Sequence, residues 1–194
     1  MSALVRSLGP WTTMIALFFI LRYTGALSGI SFLAQSALFH SGVLDVEADP
    51  EKLKDDKDFD YDFKLKDVAG KIIPASDFKN KTIFLNIWAT WCGPCKMEMP
   101  SIQELYNSVD HSKIVFIMLS LDAADKDEKV VKFVQDNRYT FPVFRPVGEM
   151  LPPQLRVPSI PTTFVISPAG KIVSKRAGAA NYDTPEFKKL LEEL

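Results

Sequence analysis

Runs of apolar residues and their spacing divide this chain into an apolar beginning, an acidic stretch and a longer region patterned for strands and helices. In the longer region, residues 82–88 and 114–121 are almost entirely apolar, which is typical of central strands in a parallel sheet. Parallel neighbours require a crossover connection, usually a helix. The sequence therefore predicts two buried parallel strands joined by a helix.

Apolar residues between those strands recur at helical spacing from a start near Cys92. The predicted buried stripe consists of Met97, Ile102, Leu105 and Val109. Pro100 removes one amide from the middle of this helix. A second helix is predicted beyond the second strand, where Asp125 and Glu128 have the spacing of a capping box.

Shorter strands are predicted on either side of this core. Alternating residues in 59–65 predict a half-buried strand with a partner at 71–74, and residues 162–166 and 171–175 flank a turn. Thr184, followed by a proline, has the features of the N-cap of a last helix. The order is a hairpin, then β-α-β-α-β, then β-β-α, which predicts an α/β fold with a central sheet.

Residues 1–44 are apolar, and between positions 7 and 41 the only formally charged residue is Arg22. A helix that crosses a bilayer needs about 20 residues. The pattern predicts a membrane anchor at 8–27 that leaves the N-terminus in the cytoplasm and the rest of the chain outside. The alternative is a signal peptide cleaved near 24–26. Both interpretations export the domain.

Residues 45–58 are predicted to form an acidic linker between the apolar segment 1–44 and a domain at 59–194. From Asp45 to Asp62 the chain carries nine acidic residues and three lysines. Such a stretch has too few apolar groups to offset the entropy lost when a chain becomes ordered.

Composition excludes several classes of function. The chain has 23 Lys and Arg against 24 Asp and Glu, so a net charge of −1 offers no general attraction for nucleic acid. Two cysteines and two histidines without motif spacing do not predict a metal site. Lys96 stands where covalent haem attachment requires histidine. A redox-active Cys92–Cys95 pair is the remaining chemistry, and no other cofactor is expected.

The predicted helix start gives the two cysteines different roles. Free amides and the helix dipole at an N-terminus stabilise an anion, which favours the thiolate of Cys92. Cys95 lies one turn further in and is expected to be more buried. We therefore expect Cys92 to attack a substrate disulfide and Cys95 to resolve the mixed disulfide.

Residues 85–100, LNIWATWCGPCKMEMP, resemble thioredoxin-fold proteins, most closely the exported thiol:disulfide oxidoreductases of the TlpA/ResA/CcmG type. The resemblance covers about 59–194. It implies a thioredoxin-like fold, a mixed sheet flanked by helices, to which this chain adds an N-terminal hairpin and an anchor helix. By the same resemblance, Trp91, Gly93 and Pro94 would contact substrate beside the cysteines.

Two further parts of the site follow from the resemblance. Ile160 and Pro161 match the family's cis-proline loop, which offers backbone groups to an extended substrate. Asn86 stands where cytosolic thioredoxins carry a buried aspartate that moves protons. Glu98 matches the glutamate that members of the ResA type place near their cysteines, and it is the predicted acid/base group for Cys95. The alternative for Glu98 is a solvated carboxylate on the helix surface.

The direction of electron flow is predicted from the dipeptide between the cysteines. Gly93 and Pro94 are the thioredoxin pair, and thioredoxin has a potential of about −270 mV against about −120 mV for the oxidant DsbA. The chain is therefore expected to reduce protein disulfides. The resemblance implies a DsbD- or CcdA-type membrane thiol donor and apocytochrome c as a substrate. With the anchor predicted at 8–27, we expect a single-pass protein of the bacterial inner membrane whose domain faces the periplasm or the outside.

Two other functions remain open at this point. A peroxiredoxin-like peroxidase requires P-x-x-x-T-x-x-C, but Ala89 lies three residues before Cys92, and Cys92 itself lies three before Cys95. A non-catalytic exported binding module would keep the pair as a fixed structural disulfide. The loops expected to read the substrate, 123–126 and 149–159, carry no motif.

Overall fold

The computed structural model describes residues 11–15, 58–148 and 151–194. The chain divides into two units, Met1–Leu44 and Asp45–Leu194. In the first unit, residues 11–15 are helical. No helix within the described ranges is both long and apolar enough to cross a membrane. The rest of the predicted anchor, and the acidic linker up to residue 57, lie outside the described residues.

The second unit is built on a seven-stranded mixed sheet in the order β2-β1-β5-β4-β3-β6-β7. The strands are β1 (Lys64–Asp67), β2 (Ile72–Pro74), β3 (Thr82–Trp88), β4 (Ile114–Ser120), β5 (Val143–Pro146), β6 (Thr162–Ile166) and β7 (Ile172–Ala177). β3, β4 and β5 run parallel, and the other neighbours pair antiparallel. The two apolar runs are central neighbours, as their composition indicates.

Among the described residues of this unit there are three α-helices: α1 (Gly93–Ser108), α2 (Asp127–Asp136) and α3 (Pro185–Glu193). Single 3-10 turns lie at Ala75–Phe78, Ala124–Lys126 and Pro153–Leu155. The Thr184 hydroxyl caps α3 by accepting a hydrogen bond from the Phe187 amide at 3.2 Å. The expected N-cap and element order are confirmed.

The buried stripe of α1 differs from the predicted one at its first position. Met99 is fully buried, whereas Met97 is only partly so. At 3.6 residues per turn, the residues that follow the buried Cys95 on the same face of the helix are Met99 and Ile102. The buried Cys95 in the first turn therefore determines which face of α1 is buried.

The capping box predicted for α2 is wrong. Lys126 is the N-cap and makes no side-chain cap hydrogen bond. Asp125 lies in the preceding 3-10 turn and pairs with Lys126 at 2.8 Å.

The first predicted strand is displaced towards the C-terminus by several residues. Within 59–63, the Asp62 amide donates to the carboxylate of Asp60 at 2.8 Å, and Gln154 bonds to both backbone groups of Asp60. These local and side-chain bonds replace a strand ladder. β1 therefore starts at Lys64, and it joins the sheet by pairing with β5 as well as β2.

The two faces of the sheet are covered differently. Phe84 and Trp88 of β3 face a cluster that contains the buried residues of all three helices. Ile83, Leu85 and Ile87 face a second cluster, which irregular segments cover with Phe59, Leu155 and their neighbours. The helical face carries the cysteines, so the site forms where α1 meets the end of β3.

Candidate active site

Cys92 and Cys95 form a disulfide at the start of α1, with their Cα atoms 5.3 Å apart. Cys92 is the N-cap, and its sulfur accepts a hydrogen bond from the Cys95 amide at 3.2 Å. The sulfur occupies the place where a serine or aspartate oxygen usually caps a helix. The predicted helix-terminus environment of Cys92 is therefore present. Cys95 is fully buried, and Cys92 is 5% exposed.

The surface beside the disulfide is open. Trp91 is 64% exposed, and both Gly93 and Pro94 are exposed. A Cβ atom added at Gly93 would meet nothing within 4 Å. An incoming polypeptide can therefore reach the Cys92 side of the disulfide, whereas Trp88, the last residue of β3, is fully buried.

The loop before β6 lies against the first cysteine. The Ile160–Pro161 peptide bond is cis, as the resemblance implied. The carbonyl oxygen of Ile160 lies 3.8 Å from the Cys92 sulfur. The fold thus brings Cys92, Ile160 and Pro161 together from two distant parts of the chain.

Glu98 is fully buried, which excludes the alternative of a solvated helix carboxylate. Its Oε1 accepts a hydrogen bond from the Asn86 side-chain amide at 2.7 Å, and its Oε2 accepts one from the Ala180 backbone amide at 3.2 Å. Burial raises the pKa of the Glu98 carboxyl from 4.5 to about 8, against the opposing effects of these donors and of Arg176. In the oxidised protein, Glu98 is therefore largely protonated near neutral pH.

Asn86 is the centre of a buried polar network. Its side-chain amide also donates to the Thr163 hydroxyl at 2.9 Å, and Tyr182 donates to the same hydroxyl at 2.6 Å. Burial, with the nearby Glu98 charge, raises the pKa of Tyr182 far above its ordinary value. Tyr182 therefore stays protonated and acts as a fixed donor. The Asn86 Oδ1 atom is buried without a partner among the described residues.

The turn between β3 and Cys92 has its own anchor. The Thr90 amide and hydroxyl both donate to the carboxylate of Asp122, which is 7% exposed and follows the end of β4. Sequence reasoning missed Asp122, Thr163 and Tyr182 as parts of the site. A polar residue directly after a buried strand was the available signal for Asp122. For Thr163 and Tyr182, the available signal was Asn86, because a polar side chain in a buried strand requires hydrogen-bond partners.

The two loops predicted to read the substrate border one groove. Its volume is about 690 Å³, and its lining includes Ala123 and Ala124 on one side and Leu151, Arg156 and Val157 on the other. Residues 149 and 150 of the second loop lie outside the described residues. Within the described residues, no group of three or more His, Cys, Asp or Glu side chains is placed to hold a metal ion.

Comparison with known proteins gives the family of this chain. The sequence model of the AhpC/TSA family matches residues 59–175. The chain belongs to the AhpC/TSA family. The thiol-disulfide oxidoreductase ResA of Bacillus anthracis is 37% identical over 131 residues, which are 68% of this chain and 74% of that protein.

Solved structures agree on the fold. StoA of Bacillus subtilis has 26% sequence identity and a TM-score of 0.55, covering 66% of this chain and 94% of its own. A secreted Mycobacterium tuberculosis disulfide oxidoreductase, homologous to E. coli DsbE, has a TM-score of 0.57 at 18% identity, which supports the fold alone. It covers 68% of this chain and 96% of its own. The predicted thioredoxin-like fold and the resemblance to this group are confirmed, and the chain is a thiol:disulfide oxidoreductase.

The buried Glu98 predicts a specific pH dependence of stability in the oxidised chain. Between about pH 4.5 and pH 8 the unfolded chain loses the Glu98 proton and the folded chain keeps it. The folded state then binds more protons, so the free energy of unfolding falls as the pH rises through this window. We expect Glu98→Gln to flatten this fall, as measured by urea unfolding across the window.

Glu104→Gln is the matched control, because Glu104 is an exposed glutamate on the same helix. It should leave the slope as it is in the wild type. Equal slopes in the wild type and in Glu98→Gln would contradict the buried, protonated state of Glu98.

Proposed function

We propose that this protein is a membrane-anchored, extracytoplasmic reductant of protein disulfides. The observation that carries the proposal is a Cys92–Cys95 disulfide at a helix start, with the exposed Trp91 beside it and the buried Glu98 on the same helix. The family and the ResA relatives support disulfide exchange as the chemistry. The reducing direction and the extracytoplasmic location are proposals.

The exchange proceeds in two balanced steps. In the reduced protein, the Cys92 thiolate attacks one substrate sulfur; a bond forms between the two sulfurs, and the other substrate sulfur leaves as a thiolate that takes a proton from water. Cys95 then loses its proton and attacks the Cys92 sulfur, which releases the second substrate thiolate. The substrate gains two electrons, and the chain ends in the disulfide form that the structure shows.

Glu98 is the proposed acceptor of the Cys95 proton. It lies three residues after Cys95 and therefore on the same side of α1. Its oxygens accept one hydrogen bond each, from Asn86 and Ala180, and each keeps acceptor capacity for the Cys95 proton. After the second step Glu98 holds a proton, which agrees with a pKa of about 8 in the oxidised state.

The substrate is proposed to bind along the open face. An extended chain would pair with the backbone at Ile160 and Pro161, contact Trp91, Gly93 and Pro94, and extend into the groove of about 690 Å³ between the two loops. The proposed substrate class is a disulfide-containing protein, with apocytochrome c as a candidate.

The apolar N-terminal segment supports a location of the domain outside the cytoplasm, and that location requires an outside source of electrons. We place the chain in the bacterial inner membrane as a single-pass protein, with the domain facing the periplasm or the outside; secretion after cleavage is the alternative. An oxidising compartment supplies no reductant, so a DsbD- or CcdA-type membrane dithiol would return the Cys92–Cys95 pair to its reduced form.

The two rival functions receive less support. Ala89 is buried and presents only a methyl group where a peroxiredoxin-like site requires a threonine hydroxyl. A binding module with a fixed disulfide is disfavoured by relatives that are thiol-disulfide oxidoreductases.

A trapping experiment tests the exchange. In Cys95→Ser, Cys92 still attacks but nothing resolves the product, so a mixed disulfide with the substrate should accumulate. Non-reducing electrophoresis and mass spectrometry of the membrane and exported fractions would detect and identify it. Cys92→Ser is the matched control and should form no adduct. If adducts are absent from both variants, or equal in both, the assignment of attack to Cys92 is wrong.

The role of Glu98 is tested on the isolated Cys95 thiol in a Cys92→Ser background. An ionised Glu98 beside Cys95 disfavours the thiolate, so Glu98→Gln should lower the apparent pKa of the Cys95 thiol. Iodoacetamide alkylation measured as a function of pH reports this value. Glu104→Gln should leave the profile in place, and an unchanged profile in Glu98→Gln would remove Glu98 from the mechanism.

The anchor is tested by carbonate extraction. A single apolar helix of about 20 residues holds a protein in the bilayer at alkaline pH, so the chain should stay in the membrane pellet. Sequencing of the mature N-terminus should show that residues 8–27 are retained. Recovery in the supernatant, with an N-terminus near residue 27, would establish the cleaved form instead.

A further inference from the structure

Asp122 is a buried carboxylate that the exchange mechanism does not use. Its Oδ2 accepts hydrogen bonds from the Thr90 amide and the Ser120 hydroxyl, each at 2.8 Å, and its Oδ1 accepts one from the Thr90 hydroxyl at 2.6 Å. These donors are all neutral. Burying a carboxylate is costly unless its oxygens are hydrogen-bonded, and these donors supply that requirement. Two of the three bonds lead to a single residue, Thr90, two positions before Cys92.

The turn before Cys92 needs an anchor because the sheet ladder stops short of it. The Leu121 amide donates to the Trp88 carbonyl at 2.8 Å, and β3 and β4 separate beyond that point. Thr90 then lies beyond the paired residues of β4. The Asp122 side chain supplies the acceptor that a neighbouring strand would otherwise provide. Within the turn, the Cys92 amide donates to the Ala89 carbonyl at 3.1 Å.

Asp122 is itself held in place from a third element. Arg145 on β5 donates from Nη1 to the Ala123 carbonyl at 2.9 Å, and its Nε pairs with Asp127 at 2.7 Å. Its side chain is only 13% exposed. Arg145 thus ties the loop after β4 to β5 and to the start of α2. Asp122 lies in this loop and bonds to Thr90, so the turn before Cys92 is tied to the same framework.

We propose that Asp122 is a positioning residue for disulfide exchange, which through Thr90 holds the Cys92 sulfur beside the Ile160 carbonyl whenever the Cys92–Cys95 bond is open. In the oxidised chain the disulfide itself ties Cys92 to α1. In the reduced chain that bond is absent, and the turn keeps its place through the Asp122 bonds. This inference rests on the proposed function, because it concerns attack on a bound polypeptide.

The test compares two disulfide substrates of different size. The full chain in detergent is reduced, and its rate constants are measured with insulin and with the small reagent 5,5′-dithiobis(2-nitrobenzoate). Attack on a docked polypeptide needs the sulfur in a fixed position, and a displacement of about 1 Å can lower a rate by up to about a hundredfold. We expect Asp122→Ala and Thr90→Val to lower the rate with insulin by about tenfold.

The small reagent separates positioning from simple loosening of the fold. A small disulfide chooses its own approach to the sulfur, so its rate should change much less than the rate with insulin. Loosening of the fold would instead leave the small-reagent rate unchanged or raise it in step with thiol exposure, without a selective loss for insulin. The ratio of the two rates is therefore the decisive measurement.

Two further variants complete the design. Thr90→Ser keeps both donors to Asp122 and should restore the wild-type ratio. Asp67→Ala is the matched control: the Asp67 carboxylate also accepts two backbone amides, those of Ala69 and Lys71, each at 2.9 Å, but in the β1–β2 turn. It should leave the ratio unchanged.

The outcomes separate the two proposals. A wild-type chain that fails to reduce insulin overturns the proposed function and this inference with it. A wild-type chain that reduces insulin, together with a Thr90→Val ratio equal to that of the wild type, overturns the positioning role alone. If Asp122→Ala does not fold, Thr90→Val decides the question, because it is nearly isosteric and removes a single hydroxyl donor.

Discussion

The complete burial of β3 is the constraint on which the rest of the site depends. All seven of its residues are buried, between β4 on one side and β6 on the other, with an apolar cluster on each face. A strand in that position has to satisfy any polar side chain internally. The chain also has to leave the sheet where β3 ends, at Trp88. The first requirement leads to the Asn86 network, and the second places Cys92 at the start of α1.

The Asn86 network shows how one polar residue in a buried strand brings together three other segments. Glu98 comes from α1, Thr163 from β6, and Ala180 and Tyr182 from the segment before α3. The carboxyl is pulled in two directions, since burial disfavours its charge while the surrounding donors favour it. Burial is the larger effect, and the site therefore contains an acid that is mostly neutral in the oxidised state. Such an acid can exchange its proton with a cysteine near neutral pH. An exposed glutamate with an ordinary pKa would already be ionised there.

The second group of polar contacts is the one proposed to position Cys92. Asp122 bonds to the turn before Cys92, and Arg145 bonds to the loop that carries Asp122. Both act at the end of the sheet, beyond the last shared rung of β3 and β4. The two groups bond to different parts of the site: the first bonds to Glu98 on α1, and the second to Thr90 in the turn before Cys92. The proposed proton transfer and the proposed positioning therefore involve separate residues, which can be changed independently.

Local sequence determined much of this protein. Apolar runs predicted β3 and β4, Thr184 and Pro185 predicted the start of α3, and the CxxC spacing predicted a disulfide at a helix start. These features depend on neighbours within a few residues, where periodicity and capping act. The displaced β1 shows the limit of local signals, because bonds to Gln154, 94 residues away, replaced the expected strand ladder. The capping box of α2 failed for a local reason, since Asp125 lies in the preceding 3-10 turn and Lys126 is the N-cap.

Only the tertiary structure decided how the site is surrounded. The sequence placed Glu98 near the cysteines by resemblance, but its full burial depends on segments up to 82 residues away in the chain. The same holds for Asp122, whose partner Thr90 lies 32 residues earlier, and for Tyr182. Desolvation and long-range hydrogen bonds are set by which strands become neighbours. A linear pattern shows that a residue needs partners, but the packed sheet selects them.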